Sequence, residues 1–186
     1  MRPLIVTYAW LLTRLPEAFA RLNAALLGQV LWLLRGKVIR RNLTKAFPDK
    51  DAAWVLRIGR VSCRRTAEMG LFSIASPLMS EAEIRNRIIV DESVLSTEHG
   101  LPPKGTGAVF FVPHFALMEM MTAAPLLSPG LAKREWVAVY RPLDQPAAES
   151  WVKEARERFG MKLASRREGF ARAMKAVREG HATVIL

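Results

Sequence analysis

With a single cysteine, Cys63, among its 186 residues, the chain has no partner for an intrachain disulfide. Its stability must come from a packed core, and a reducing, cytosolic setting suits it. Cys63 falls inside a helical pattern and reads as a small packing residue. Low-complexity tracts and internal repeats are absent, and the 11 glycines and 11 prolines are ordinary in number, which excludes fibrous and disordered classes. An uninterrupted apolar run of membrane-spanning length is also missing. The longest charge-free run of the apolar N-terminal region, Leu22 to Leu34, rises only about 20 Å as a helix, against about 30 Å of hydrocarbon. Acidic residues are scarce where basic ones gather. Residues 1–65 hold 13 of the 28 Lys and Arg but only Glu17, Asp49 and Asp51, a net of +10 out of the total of +11.

A basic segment ahead of a nearly neutral body suits docking on an anionic surface. Membrane lipid and nucleic acid are the two candidates. The cluster Arg35, Lys37, Arg40, Arg41 and Lys45 directly follows the apolar stretch LNAALLGQVLWLL, an order that favours a membrane. Basic residues so placed contribute roughly 1 kcal/mol each near an anionic leaflet and keep that side in the cytoplasm. Aromatic residues do not alternate with the basic ones as a base-stacking platform requires, so nucleic acid is not the expected partner.

Within residues 3–34 the charges Arg14, Glu17 and Arg21 are spaced i, i+3, i+7 and form one polar stripe if the segment is a single helix. Such a helix can lie in a membrane interface or pack its stripe against the protein body. Two other readings remain open. One is a buried amphipathic helix with Pro16 as a kink or a second start. The other is a signal peptide with Arg2, an apolar run and Ala18-Phe19-Ala20 as its three regions, although Arg14, Pro16 and the basic segment downstream oppose it.

Downstream, Asp51 to Ala75 is helical in period, with Arg57, Arg60 and Arg64 on one face. Ser80 and Glu83 have capping-box spacing. After the turn-forming LPPKGTG, short apolar runs at 108–112, 136–140, 161–164 and 182–186 read as strands. Helices are predicted at about 116–127, 147–159 and 169–179. Apolar strands alternating with helices predict an α/β fold, a mainly parallel sheet covered by helices, with a ligand crevice beyond the carboxyl ends of the strands.

Candidate residues follow those ends. After the first strand stands His114, with Glu119 five residues on. Residues five apart on one helix point about 140° away from each other, so the pair meets only if His114 sits in the entry turn. There the carboxylate can orient the imidazole, whose other nitrogen can take a proton from a hydroxyl, while the helix N-terminus stabilises an oxyanion. Spacing alone says little, because an acid at a fixed offset from one of three histidines arises by chance about one time in three. Position gives the pair its weight; the other reading is a histidine bonded to backbone. Arg141 follows the second strand, and Ser165, Arg166 and Arg167 close the third. Arginines at two successive strand ends imply an anionic substrate, with Arg141 and Arg166 as its contacts.

Several of these pieces, in this order, resemble the bacterial lipid A biosynthesis acyltransferases. Arg41-Asn42-Leu43 followed by Phe47-Pro48 is similar to that family's R-x-N-L…F-P signature, VPHFALMEM to its strand and H-x4-D/E motif, and Tyr140-Arg141-Pro142 to its Y-R-P. The stretch ERFGMKLASRREGFARAMKAVREGHATVIL resembles the segment running to its next strand. The resemblance implies a glycerolipid-acyltransferase-like fold, with residues 1–36 as a membrane-associating region and 37–186 as the acyltransferase domain. It implies transfer of a fatty acyl chain from acyl carrier protein to a hydroxyl of a phosphorylated glycolipid, without metal or organic cofactor. The reaction would take place at the cytoplasmic face of a bacterial inner membrane. By the same resemblance His114 is the general base, Glu119 its orienting partner and Arg141 a substrate or transition-state contact. Ala116, Leu117 and Met118 stand where members usually have Gly, Asn and Trp, which leaves other phospholipid or aminolipid acceptors open. Family domains also continue past the last strand here into a D-Q-containing loop, so a piece truncated at its C-terminus is expected. An inactive membrane-binding fragment is the alternative function.

Overall fold

The computed structural model describes residues 2–91, 93, 102, 103, 105–112, 118–168 and 170–185, with 118 and 119 described by backbone alone. Four short strands form one parallel sheet: β1 (Ala108–Phe111), β2 (Trp136–Tyr140), β3 (Met161–Ser165) and β4 (Ala182–Ile185), in the order β1-β4-β2-β3. The apolar runs that predict these strands are buried on both faces over the central pair. Trp136, Ala138, Met161, Leu163, Ala182 and Val184 pack on one side with Ala124 of α5 (Ala124–Leu127) and Leu131 of α6 (Pro129–Ala132). Val137 and Ala164 pack on the other with Ala176 of α8 (Ala171–Arg178), where the Thr183 hydroxyl donates to the Ala173 carbonyl at 3.1 Å. Side chains thus alternate between faces with the strand period of two. The end of α8 comes so close to the start of β1 that a Cβ at Gly107 would fall 1.9 Å from the Val177 carbonyl oxygen.

Between β1 and β2 the structure departs from the predicted helix over 116–127. Residues 113–117 lie outside the described ones, and the rest is a 3-10 turn, Met118–Ala123, followed by α5. The cause is Pro125, which has no N–H to continue an i→i−4 ladder and stands instead near the start of a new helix. Between β2 and β3 runs α7 (Pro146–Glu157), closed by Gly160 at φ +92°.

A helical layer covers the outer side of α7. It contains α1 (Arg2–Arg14), α2 (Glu17–Ala46), α3 (Ala52–Ala75) and α4 (Glu81–Arg87). Pro16 stands at the break between α1 and α2, so Arg14 and the Glu17–Arg21 pair do not share one stripe. The single-helix reading is corrected, and the second helix start takes its place. Asp51 caps α3 by accepting from Trp54 N at 2.7 Å, and α4 opens with the Ser80–Glu83 capping box.

α2 and α3 form an antiparallel hairpin whose seam is built from small residues. Ala24, Gly28 and Gly36 of α2 and Gly59, Cys63 and Ala67 of α3 are buried; a Cβ at Gly28 would lie 2.7 Å from the Arg64 Cα, and the Trp32 ring occupies the space over Gly36 and Gly59. Burial pushes the Cys63 thiol pKa up, consistent with a packing role. The layer is fastened to α7 by polar contacts. Trp151 Nε1 donates to the Ile74 carbonyl at 3.0 Å, Arg158 donates to the carbonyls of Pro77 and Met79, and Arg2 pairs with Glu154.

Candidate active site at the strand ends

Because all four strands are parallel, Phe111, Tyr140, Ser165 and Ile185 end on the same edge of the sheet. Tyr140 and Ser165 are register partners on adjacent strands. Arg141 and Arg166 therefore leave the sheet at matched positions, from strands about 4.8 Å apart. Both are exposed, and neither makes an ion pair among the described residues. This much of the expected site the structure brings together. His114 lies outside the described residues, three positions beyond the end of β1. Glu119 is placed by its backbone in the Met118–Ala123 turn, with its side chain outside the description. Two strand spacings, about 10 Å, separate β1 from β2 across the intervening β4.

The loop carrying Arg141 is held from below by Glu149, in the first turn of α7. One carboxylate oxygen accepts from the Tyr140 hydroxyl and the other from the Leu143 N–H, both at 2.7 Å. Gln145 caps the helix by accepting from Ala148 N at 2.9 Å. The Tyr140 pKa is pushed up to about 12, first by burial and then by the hydrogen bond and negative charge of Glu149. This tyrosine accordingly stays a neutral donor at physiological pH. Arg167 joins the loops after β2 and β3 through Asp144 at 3.4 Å, and its N–H donates to the buried Ser165 hydroxyl at 3.1 Å. The Arg167–Asp144 pair is solvent-exposed and adds little stability. Sequence reading overlooked Glu149, because a single acid in the first turn of a helix looks like an ordinary dipole partner.

The arrangement is a rim of guanidinium groups over strand ends, suited to a phosphorylated or carboxylated ligand. Among the described residues no group of three His, Cys, Asp or Glu side chains is placed to hold a metal ion. A family model described as bacterial lipid A biosynthesis acyltransferase matches residues 3–186.

The chain belongs to the bacterial lipid A biosynthesis acyltransferases.

No individual curated protein is similar enough to the chain to match it. Membership in the family makes the protein an acyltransferase of lipid A biosynthesis, acting on a lipid acceptor. It also agrees with the observed α/β sheet behind a long apolar helix, α2, because the family is typically membrane-associated.

Proposed function

We propose that the protein moves a fatty acyl chain from acyl carrier protein to a hydroxyl of a bacterial glycolipid such as a lipid A precursor, at the cytoplasmic face of the inner membrane. The observation that carries this reading is the family match over residues 3–186, on a chain whose Arg141 and Arg166 leave adjacent parallel strands at matched positions. In the proposed reaction a His114 ring nitrogen takes the proton of the acceptor hydroxyl as its oxygen attacks the thioester carbonyl. The tetrahedral oxyanion collapses, the C–S bond breaks, and the thiolate leaving with acyl carrier protein takes a proton back from the imidazolium. Glu119 keeps the imidazole in the tautomer that can accept that proton. Arg141 and Arg166 contact the anionic headgroup of the acceptor through charge-assisted hydrogen bonds. Residues 1–36 provide the membrane-associating region and 37–186 the transferase domain.

Site variants assayed with labelled acyl carrier protein and glycolipid acceptor test the reading. His114→Ala is expected to slow turnover by about a hundred- to ten-thousandfold, the range general-base catalysis supplies. Glu119→Ala acts in the same direction and by less. Full turnover in both variants would remove His114 and Glu119 from the mechanism.

A further inference from the structure

The outward side of α2 is apolar where a surface meeting water carries charge. Leu22, Leu26, Val30, Leu33 and Leu34 are each 50–74% exposed, and no Asp, Glu, Lys or Arg interrupts Leu22 to Leu34. A continuous face of this kind marks a contact with another apolar phase. By length and composition α2 can cross a bilayer. Its neighbour decides against that.

α3 runs antiparallel along the same stretch, with its backbone at Arg64 against Gly28. The Arg60 guanidinium lies 5.8 Å from the Trp32 ring centre, and the Arg40 guanidinium lies 6.0 Å from the same ring. Arg60, Arg64 and Arg65 therefore stand beside the middle of the apolar run. The Arg64 and Arg65 side chains are 49% and 65% exposed and share the single carboxylate of Glu68. A hairpin crossing the membrane would hold these arginines at hydrocarbon depth, at roughly 2.5–3.5 kcal/mol each on insertion scales. Laid along the surface, the same hairpin gains from both kinds of side chain. Leucines enter one leaflet, and arginines at their flank reach the lipid phosphates.

We infer that the α2–α3 hairpin lies in the plane of an anionic bilayer surface without spanning it, its leucine face sunk into one leaflet and Arg40 and Arg60, both beside the Trp32 ring, at the phosphate level. Charge complementarity selects the occupant: residues 1–65 carry a net charge of +10, and each basic residue near an anionic leaflet adds about 1 kcal/mol. The inference deepens the membrane part of the proposed function and is independent of the chemistry at His114.

Single cysteines test it. In a Cys63→Ala background, Arg21→Cys and Lys45→Cys mark the two ends of α2, and a membrane-impermeant maleimide is applied to inverted inner-membrane vesicles and to right-side-out spheroplasts. Labelling of both ends from the same side is expected. Labelling of the two ends from opposite sides, or recovery of the protein away from the membrane, overturns the inference. Both ends labelled only from outside would preserve the in-plane hairpin and refute the cytoplasmic placement instead. A second measurement uses phosphatidylglycerol vesicles. Leu26→Glu with Leu33→Glu should weaken binding at least tenfold with an unchanged circular dichroism spectrum, because those side chains face outward. Unchanged binding also overturns the inference, and a loss of acyl transfer with the topology intact would count only against the proposed reaction.

Discussion

The α2–α3 hairpin and the parallel sheet are both rich in apolar residues, and they use them in opposite ways. In β2, β3 and β4 the large side chains turn inward: Trp136, Val137, Leu163 and Val184 are buried, whereas Phe111 of the edge strand β1 stays exposed. In the hairpin Ala24, Gly28, Gly59 and Ala67 stand at the closest approach, with Leu31 and Trp32 packed beside them, and Leu22, Leu26, Leu27, Leu33 and Leu34 of α2 turn outward. Small residues let two helix backbones approach closely, a packing mode common where the surrounding phase is lipid and the leucines need not be hidden from water. The contrast teaches that hydrophobic content alone does not say which side of a helix faces the protein. The partner's small residues and charges decide it.

Breaking the sheet side of this contrast should give the largest effect. Trp136 is buried, with its Nε1 donating to the Leu131 carbonyl at 2.7 Å and its ring 5.3 Å from Phe110. Trp136→Ala is expected to destabilise by about 3–5 kcal/mol in denaturant unfolding. Next comes the hairpin seam. Gly28→Leu would drive a side chain into the α3 backbone and should cost about 1–3 kcal/mol, measured the same way. Leu33→Glu should change stability by less than about 0.5 kcal/mol in the absence of lipid, since surface substitutions seldom do more. Equal losses from Leu33→Glu and Trp136→Ala would erase the distinction between the two regions.

A finer test addresses the loop that carries Arg141. Tyr140 has a folded pKa raised above its ordinary value of 10 to about 12, so its contribution is present below pH 10 and is lost as the pH rises through about 12. Glu149→Gln removes the negative charge that opposes phenolate formation. A phenolate absorbance titration should show the Tyr140 midpoint fall towards 10 while staying above it, because burial remains. Slower turnover with unchanged unfolding midpoint at neutral pH would mark Glu149 as a positioning residue for the Arg141 loop.

Much of this architecture was legible in the sequence. The pattern over Asp51 to Ala75 yields α3 at Ala52–Ala75 because it has a clean helical period, and WVAVY yields β2 at 136–140 because it is a short, bounded apolar run. Ser80 and Glu83 form the capping box their spacing implies. Reading failed where one residue redirected the backbone. Pro125 divides the helix expected over 116–127, and Pro16 separates Arg14 from Glu17 and Arg21. At the site, Arg141 and Arg166 fall on the expected edge, whereas Glu149 becomes visible only once the loop after β2 folds back on α7. The facing of α2 was hidden for a related reason. Its glycines acquire meaning only against Arg64 and Trp32.

The central claim is acyl transfer to a lipid acceptor. Its most direct test incubates the protein with radiolabelled acyl carrier protein thioester and a purified lipid A precursor in phosphatidylglycerol vesicles, followed by mass spectrometry of the glycolipid. The predicted result is a protein-dependent gain of one fatty acyl group on the glycolipid with matching release of free carrier thiol. Thiol release without any acylated lipid, or no release at all, would contradict it.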